Sequence, residues 1–427
     1  MSETSGYPDS FYAATAVGVR DYPGLDHDRQ ADVCVIGGGF TGLSAALNLA
    51  ERGLDVVLLE AERVGFGASG RCGGLVGSGQ RKEVLEIEEL FGYERSKLLW
   101  DFAELAKQEI RDRVEKHDIA CDLQCGQLLG IHKKRYLGHA QQTADVLAER
   151  YDYPFCKALN AEETRARVAS ESFLEGMYDS EALALHPLNF SLGLARAAAA
   201  AGAKIYEHSR VIDYSREYPA VVRTANASVE ASFVVLACNG YLGKLEPRVA
   251  GKIMPINNFM IATEPLEGSR ASALINGRFG VHDTRFVVNY FRLSDDNRLI
   301  FGGGENYRAG FPSDIKSFVR PHMLKLFPQL RDVGIDYGWG GTLSVTVNRL
   351  PHVGRLPPNV FFAQGYSGHG ISIATFAGKV IAEAVAGTAD RFDVFAELPT
   401  RSFPGGTWLR YPGMVLAMLY YSIKDRI

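Results

Sequence analysis

The sequence predicts a doubly wound α/β domain that the chain visits three times, interleaved with an α+β domain built on an antiparallel sheet. Three observations carry this. A strand, glycine turn, helix and second strand lie between Ala31 and Glu60, two later strand and helix returns begin near His186 and Asn359, and β-rich stretches of another character lie between them. The 427 residues exceed one ordinary core, which agrees with more than one domain.

The opening unit starts with the apolar, strand-like run Val33 to Ile36. Gly37, Gly39 and Gly42 follow at the spacing G-x-G-x-x-G, around Phe40 and Thr41. In that spacing the first glycine permits the tight turn, the second lets pyrophosphate approach the backbone, and the third lets helix and strand pack closely. The predicted helix, Thr41 to Arg52, shows an apolar face at Leu43, Ala46, Leu47 and Ala50, with Gly53 closing it. Its N-terminus offers unpaired N–H groups to an anion. Asp55 to Leu59 reads as the second strand, and Glu60 at its tip can accept both hydrogen bonds of an adenosine ribose diol. Such a Rossmann-like unit of about 30 residues binds a dinucleotide, without distinguishing nicotinamide from flavin.

Composition narrows the function classes. A net charge of −4 and the lack of a basic cluster argue against a nucleic-acid partner. The cysteines, Cys34, Cys72, Cys121, Cys125, Cys156 and Cys238, show no paired C-x-x-C spacing and read as free thiols of a cytoplasmic protein. No group of residues has metal-ligand spacing. The N-terminal MSETSGYPDSFYAATAVG lacks the basic start and apolar stretch of a secretory signal. Residues 401–427 read as an apolar helix packed on the body. Its run Tyr411 to Tyr421 is shorter than the roughly 20 residues that span a bilayer, which argues against membrane contact.

The segment after Glu60, AERVGFGASGRCGGLVGSG, decides between the dinucleotides. Its glycines at 65, 67, 70, 73, 74, 77 and 79 are too many for a helix and suit a backbone that wraps a flat ring system. G-x-G-x-x-G, the acid and GFGASGRCGG together resemble the D-amino-acid oxidase superfamily of FAD-dependent amine oxidases. The resemblance implies a glutathione-reductase-type FAD-binding domain beside a substrate domain, and FAD in place of NAD. It implies cofactor contacts from Gly37, Gly39, Phe40, Thr41, Gly42, Glu60, Ala61, Gly67, Ala68, Ser69, Arg71, Gly73, Gly74 and Leu75.

The later returns match the family's other contacts. From His186 the chain reads as a helix closed by Gly202, then a strand ending at Val211, whose backbone resembles the family's adenine contact. Phe233 to Ala237 is another strand, and the turn at Cys238, Asn239 and Gly240 resembles a cofactor-facing edge. From Asn359 follow a strand, a glycine turn and a helix. Gly365, Gly368 and Gly370 shape a loop that in the family brings the helix N-terminus, here Ile371, to the flavin pyrimidine, where negative charge develops on reduction. His369 in this turn reads either as a loop hydrogen bonder or as a direct flavin contact.

Residues 28–80, 180–250 and 338–400 are thereby assigned to the FAD domain, and 81–179 and 251–337 to the substrate domain. In the latter, Lys252 to Thr263, Phe286 to Leu293 and Arg298 to Gly303 are strand-like, the last two joined by a turn at Ser294 to Asn297. Glu83 to Lys116 reads as helical, its charges forming a solvated face. Tyr290 and Arg292 alternate with Phe291 in a strand that the family lays over the flavin, so both point to one side. With His369 they are the candidate catalytic residues. Tyr290 reads as a wall of the amine pocket; Arg292 reads as holding a distant carboxylate or as pairing with Asp295. Trp339 is a pocket wall or core, and Lys252 a candidate cation near the flavin.

The resemblance implies hydride transfer from an amine to the flavin, hydrolysis of the resulting imine, and reoxidation by oxygen or another acceptor. Sarcosine-type members link the flavin to a cysteine. The matching position here is Gly341, so FAD is expected to be bound non-covalently; attachment at Cys72, near the flavin loop where relatives often have asparagine, is the alternative. Those members also clamp an α-carboxylate with an arginine and a lysine, where this chain has Gly74 and Ser372. Loss of both cations argues against small α-amino acids. With VGFGASGRCGG, YFRLSDDNRLIFGGG and the tail from Phe403, the chain resembles the bacterial γ-glutamylputrescine oxidase group. That implies oxidation of γ-glutamylputrescine to γ-glutamyl-aminobutyraldehyde, with ammonia and hydrogen peroxide. Two alternatives stay open: a sarcosine- or glycine-oxidase-like substrate, and a flavin dehydrogenase using an acceptor other than oxygen.

Overall fold

The computed structural model describes residues 6–306, 310–407 and 412. In chain order its strands are β1 (Arg29–Ile36), β2 (Val56–Leu59), β3 (Leu75–Val76), β4 (Gln124–Ile131), β5 (Cys156–Leu159), β6 (Glu175–Ala184), β7 (Lys204–Tyr206), β8 (Asp213–Tyr214) and β9 (Ala220–Arg223), followed by β10 (Ser228–Leu236), β11 (Met254–Thr263), β12 (Gly280–Asp283), β13 (Tyr290–Leu293), β14 (Leu299–Asn306), β15 (Ile335–Val345), β16 (His352–Leu356) and β17 (Val360–Gln364). They form two sheets.

The first sheet has the order β16-β17-β10-β1-β2-β7, with β9 and β8 attached at β10. From β17 to β7 the pairs are parallel, and β1, at the middle, aligns Val33–Ile36 with Phe233–Leu236 on one side and Val56–Leu59 on the other. Parallel strands need helical crossovers, and these cover the sheet. The helix after β1, α2 (Phe40–Ala50; α1 is the short Phe11–Ala14), lies between the helices Pro187–Ala200 and Ile371–Val385. All its residues are buried, so the one-sided apolar face expected from the sequence becomes a helix enclosed all round. The 371–385 helix approaches so closely that a Cβ on Gly378 would sit 2.4 Å from the Thr41 carbonyl oxygen.

The second sheet has the order β15-β11-β14-β13-β12-β4-β6-β3, with β5 on β6. It is antiparallel except at β12 and β4. Its predicted hairpin is present as β13 and β14, with Asn297 at positive φ in the turn. β3 stitches the glycine-rich loop to this sheet by pairing Leu75 with Ala184.

Several expectations change. Phe286 to Asn289 lies outside β13, which begins at Tyr290. Residues 338–345 belong to β15 of the second sheet, because the strand runs on from Ile335 paired with β11, with one register shift between Ala262 and Thr263, so the boundary expected at 338 falls inside a strand. The strand expected to end at Val211 stops at Tyr206; Val211 lies in irregular chain, tied alongside Glu60 by the bond from Ser209 N to the Glu60 carbonyl at 2.8 Å. The helical stretch breaks at Gly92 (φ 82°) into α3 (Val84–Phe91) and α4 (Tyr93–Lys116). Its charges are not all solvated: Lys107, Glu109 and Arg113 are buried, Arg113 between Glu109, Glu51 and Asn48. The expected C-terminal helix lies, apart from residues 401–407 and 412, outside the described residues.

Candidate functional site

The glycine turn sits at the C-terminal edge of β1, where parallel sheets present ligand sites. A Cβ on Gly42 would be 1.9 Å from the Gly37 carbonyl oxygen, so only glycine lets α2 start this close to the strand. Gly39 is the N-cap of α2 and offers no side-chain cap. Ser69 Oγ accepts from Phe40 N at 3.1 Å, which brings the second glycine loop against the first. The Phe40 ring itself packs on Phe190, so its part in the turn is played by its backbone. Glu60 accepts from Gly38 N at 2.6 Å and from Glu62 N at 2.9 Å. Burial is the largest influence on this carboxyl and pushes its pKa up, against the two backbone donors.

The second loop is held from several sides. One turn of 3-10 helix, Ala68–Gly70, leads into Arg71, whose Nε donates to Phe66 O at 2.6 Å and Nη1 to Gly340 O at 3.1 Å. Trp339 is core, 2 % exposed, and its Nε1 donates to Arg71 O at 2.9 Å. Gly341 faces Arg71, a Cβ there lying 3.3 Å from Arg71 Cβ. At Gly74 (φ 78°) a Cβ would lie 2.0 Å from the Leu185 carbonyl oxygen, so the backbone admits no side chain. Cys72 is half-buried, and burial pushes its thiol up to about 11.

The last turn closes on the same place. Tyr366 OH and Thr41 Oγ1 are 2.6 Å apart, joining it to α2. Gly365 N donates to Asn239 Oδ1 at 2.9 Å, and Ser344 Oγ donates to that same oxygen. Gly370 caps the 371–385 helix without a side-chain bond, so two long helices present uncapped N-termini. A Cβ on Gly368 would meet nothing within 4 Å, whereas Gly77 is close-packed, its Cβ position 2.8 Å from His369 Cε1. His369 Nε2 is buried without a partner. Burial and Arg81 hold its imidazole down to about 4, so it is neutral near pH 7.

Above these loops lies the second sheet. The Tyr290 ring covers Gly73 and Gly302, whose Cβ positions would lie 2.6 and 2.1 Å from it, and its hydroxyl donates to Asn258 Oδ1. Arg292 points to the same side, as alternation requires, but is 2 % exposed and pairs with Asp122 at 3.4 Å; Asp295 pairs instead with Arg278. The structure therefore gathers Gly37, Gly39, Gly42, Glu60, Ala61, Ser69, Arg71, Gly73, Gly341, Asn239, Gly365, His369 and Gly370 around one site and leaves Val211 at its Glu60 end. Sequence reading missed Asn258, Gln127 and Tyr366. The polar pair Asn257 and Asn258 within an otherwise apolar strand was the available signal.

Two uncapped helix N-termini, a half-buried acid at the strand tip and a glycine-lined loop suit a long anionic dinucleotide with a flat ring. The FAD dependent oxidoreductase (DAO) family profile matches residues 32–384, and the chain belongs to this family. It is an FAD-dependent oxidoreductase. It is 41% identical over 422 residues to the gamma-glutamylputrescine oxidoreductase of Escherichia coli (strain K12), covering 99% of each chain. It is 40% identical over 418 residues to a probable oxidoreductase OrdL of Rhizobium meliloti (strain 1021), covering 98% of this chain and 97% of that one. The crystal structure of glycine oxidase from Geobacillus kaustophilus superimposes with a TM-score of 0.75 at 20% identity, covering 88% of this chain and 100% of the other.

Proposed function

We propose that this enzyme oxidises the terminal primary amine of a γ-glutamylated diamine. The substrate favoured is γ-glutamylputrescine, giving γ-glutamyl-aminobutyraldehyde, ammonia and hydrogen peroxide. The observation that carries the choice over small α-amino acids is Gly74. Its Cβ position, 2.0 Å from the Leu185 carbonyl, leaves no room for the arginine that would clamp an α-carboxylate there, and the matching lysine position is the buried Ser372. The full-length likeness to gamma-glutamylputrescine oxidoreductase supports the same substrate.

Bound FAD supplies the hydride acceptor. The first turn of α2 and Glu60 would hold its pyrophosphate and ribose, and the uncapped N-terminus that follows the 365–370 turn would favour negative charge on its ring. Gly341 in the family's cysteine position supports non-covalent binding. Tyr290 walls the amine pocket and is oriented by Asn258. Arg292, locked behind the loop by Asp122, supports Gly74 from below in place of the carboxylate-holding role. The two separate sheets support a division into an FAD domain and a substrate domain, with the last boundary after β15. A cytoplasmic location is supported by the free cysteines; among the described residues no helix is long and apolar enough to cross a membrane. The test is direct: purified protein should be yellow, bleach anaerobically with γ-glutamylputrescine and yield peroxide in air. Bleaching by sarcosine or glycine but not by the diamine conjugate would overturn the substrate; bleaching without peroxide would make it a dehydrogenase.

A further inference from the structure

The family profile begins at residue 32, yet residues 7–25 of this chain are fastened to the body as a strap. Apart from the short α1 they are irregular chain, with no ladder of their own to fix their course. Side contacts fix it instead. Pro23 O accepts from Glu207 N at 3.1 Å and Leu25 N donates to Ser209 Oγ at 2.8 Å, which moors the strap just beyond β7. Further along, Val17 N donates to Asn189 Oδ1 at 2.9 Å, and Thr15 Oγ1 lies 3.0 Å from His186 Nε2. His186 Nδ1 accepts from Asn189 N at 3.1 Å, so Nε2 carries the ring proton and donates it to Thr15, whose hydroxyl donates in turn to Phe11 O at 2.7 Å.

The remaining contacts reach the first half of the glycine loop, residues 64–71, at both of its ends. At the entry, Tyr7 OH donates to Val64 O at 2.8 Å, the Tyr7 ring lies 5.2 Å from the Arg63 guanidinium, and Arg63 Nη2 donates to Arg20 O at 2.9 Å. At the exit, Trp339 Nε1 holds Arg71 O, and the strap holds Trp339. Phe11 packs edge to face on Tyr337 at 6.1 Å and Tyr12 on Trp339 at 5.4 Å, so two successive inward residues of β15 are covered by the strap. The next residue on that face is Gly341, which meets Arg71 itself. Tyr12 is fully buried, with the His186 ring at 4.8 Å, and its hydroxyl meets no partner in hydrogen-bonding geometry. Its ring is what it contributes.

We infer that the strap is part of the cofactor site, with Tyr7 and Tyr12 as positioning residues that hold the two ends of the loop and so slow the release of FAD. This rests on the cofactor placement given above and not on which amine is oxidised. A loop with glycines at 65, 67, 70, 73, 74, 77 and 79 has few side chains to order it, and glycine loses the most conformational freedom on ordering. Contacts that fix the loop before the ligand arrives take that cost out of binding. Tyr7 reaches residue 64 and Trp339 reaches residue 71, so the stretch between them, which carries Ser69 to the Phe40 N–H, is held in advance from both sides.

The test follows FAD release from the full-length holoenzyme after dilution, by recovery of flavin fluorescence, with thermal melts confirming that each variant is folded. Tyr12→Leu should release FAD about tenfold faster, through loss of an aromatic pair and the void left beside it, and Tyr12→Phe should restore slow release. Tyr7→Phe, a milder change that removes one hydrogen bond, should speed release about threefold. Trp339→Phe keeps a ring, loses the donor to Arg71 O, and should speed it about fivefold. In the Trp339→Phe background Tyr12→Leu should add less than about twofold, because its route to the loop is already cut. Wild-type release from Tyr7→Phe and Tyr12→Leu, or effects of Tyr12→Leu and Trp339→Phe that multiply in full, overturns the proposal; a segment that only stabilises the fold would lower the melting temperature and leave release unchanged. If Tyr12→Leu does not fold, Tyr7→Phe decides alone. Arg71→Ala is the control: if it releases FAD like the wild type, the placement of FAD against this loop fails, and if it releases faster while the strap variants do not, only the strap fails.

Discussion

Glu60 allows the sharpest test of the cofactor site, because it separates folding from binding. Its carboxylate accepts Gly38 N and Glu62 N and is held up in pKa chiefly by burial. In Glu60→Gln the buried charge is relieved and one acceptor oxygen is lost. These oppose each other, so the apoprotein should stay within about 1 kcal/mol of wild type. FAD binding has no such compensation. Hydrogen bonds to a charged partner contribute about 1.5–3 kcal/mol each, and the amide keeps one neutral acceptor for two ribose hydroxyls. A loss of about 2 kcal/mol follows, or roughly 30-fold in Kd. The sign with pH is also fixed. The pKa is raised, so wild-type affinity should fall as pH drops through it, when the carboxyl protonates and ceases to accept twice; E60Q should be flat over the same range. Apoprotein titrated with FAD by fluorescence quenching, with thermal melts lacking FAD, reads both quantities. Equal Kd values for the two proteins, or equal dependence on pH, would refute the role given to Glu60.

Three further outcomes are expected. Gly42→Ala places a methyl group 1.9 Å from the Gly37 oxygen and must push α2 off β1; a stability loss of about 2 kcal/mol or more, with weakened FAD binding, should appear in melts and titrations. Asp122→Asn leaves the buried Arg292 guanidinium without its counter-charge, whereas Arg292→Met leaves Asp122 with Arg278 and Gln124; the first should cost about 3 kcal/mol and the second clearly less, by denaturant unfolding. His186 and His352, each 6 % exposed, are held at about 3, mainly by burial. Their folded pKa values lie below the unfolded value, so stability is lost as pH falls below about 6.5, by about 2 kcal/mol for each at pH 5. Melting across that range should show the loss, and His352→Gln should remove a distinct share of it; an unchanged slope would contradict the assignment.

The steric part of the site was legible from sequence because its causes are local. Gly37, Gly39 and Gly42 are dictated by a turn a few residues long, and the acid at Glu60 by the length of one strand-helix-strand unit. The crossovers were legible for the same reason, each being a helix next in sequence to an apolar strand of the same sheet. What failed depends on distant chain. α2 was read as amphipathic because no local pattern reveals that helices 187–200 and 371–385 cover both its sides. Arg113 was read as solvated because Asn48 and Glu51, which bury it, lie in another helix and its cap. The boundary at residue 338 cut β15, because nothing local shows that pairing with β11 carries the strand on through Gly338, Gly340 and Gly341.

The polar closure of the site is the extreme case. Its bonds join Phe40 to Ser69, Thr41 to Tyr366, Arg71 to Gly340 and Asn239 to Gly365, so that three separate visits of the chain are fastened to one another around the same space. Arg292 shows why motif reading stops short of such closure. Period-2 alternation placed it on the side of Tyr290, and the structure agrees. Yet alternation fixes only a direction; whether that direction meets substrate, solvent or protein is decided by what other segments bring there. Here Tyr12 and Asp122 arrive first, the ring of Tyr12 fully buried against His186 and Trp339, and the arginine becomes part of the wall.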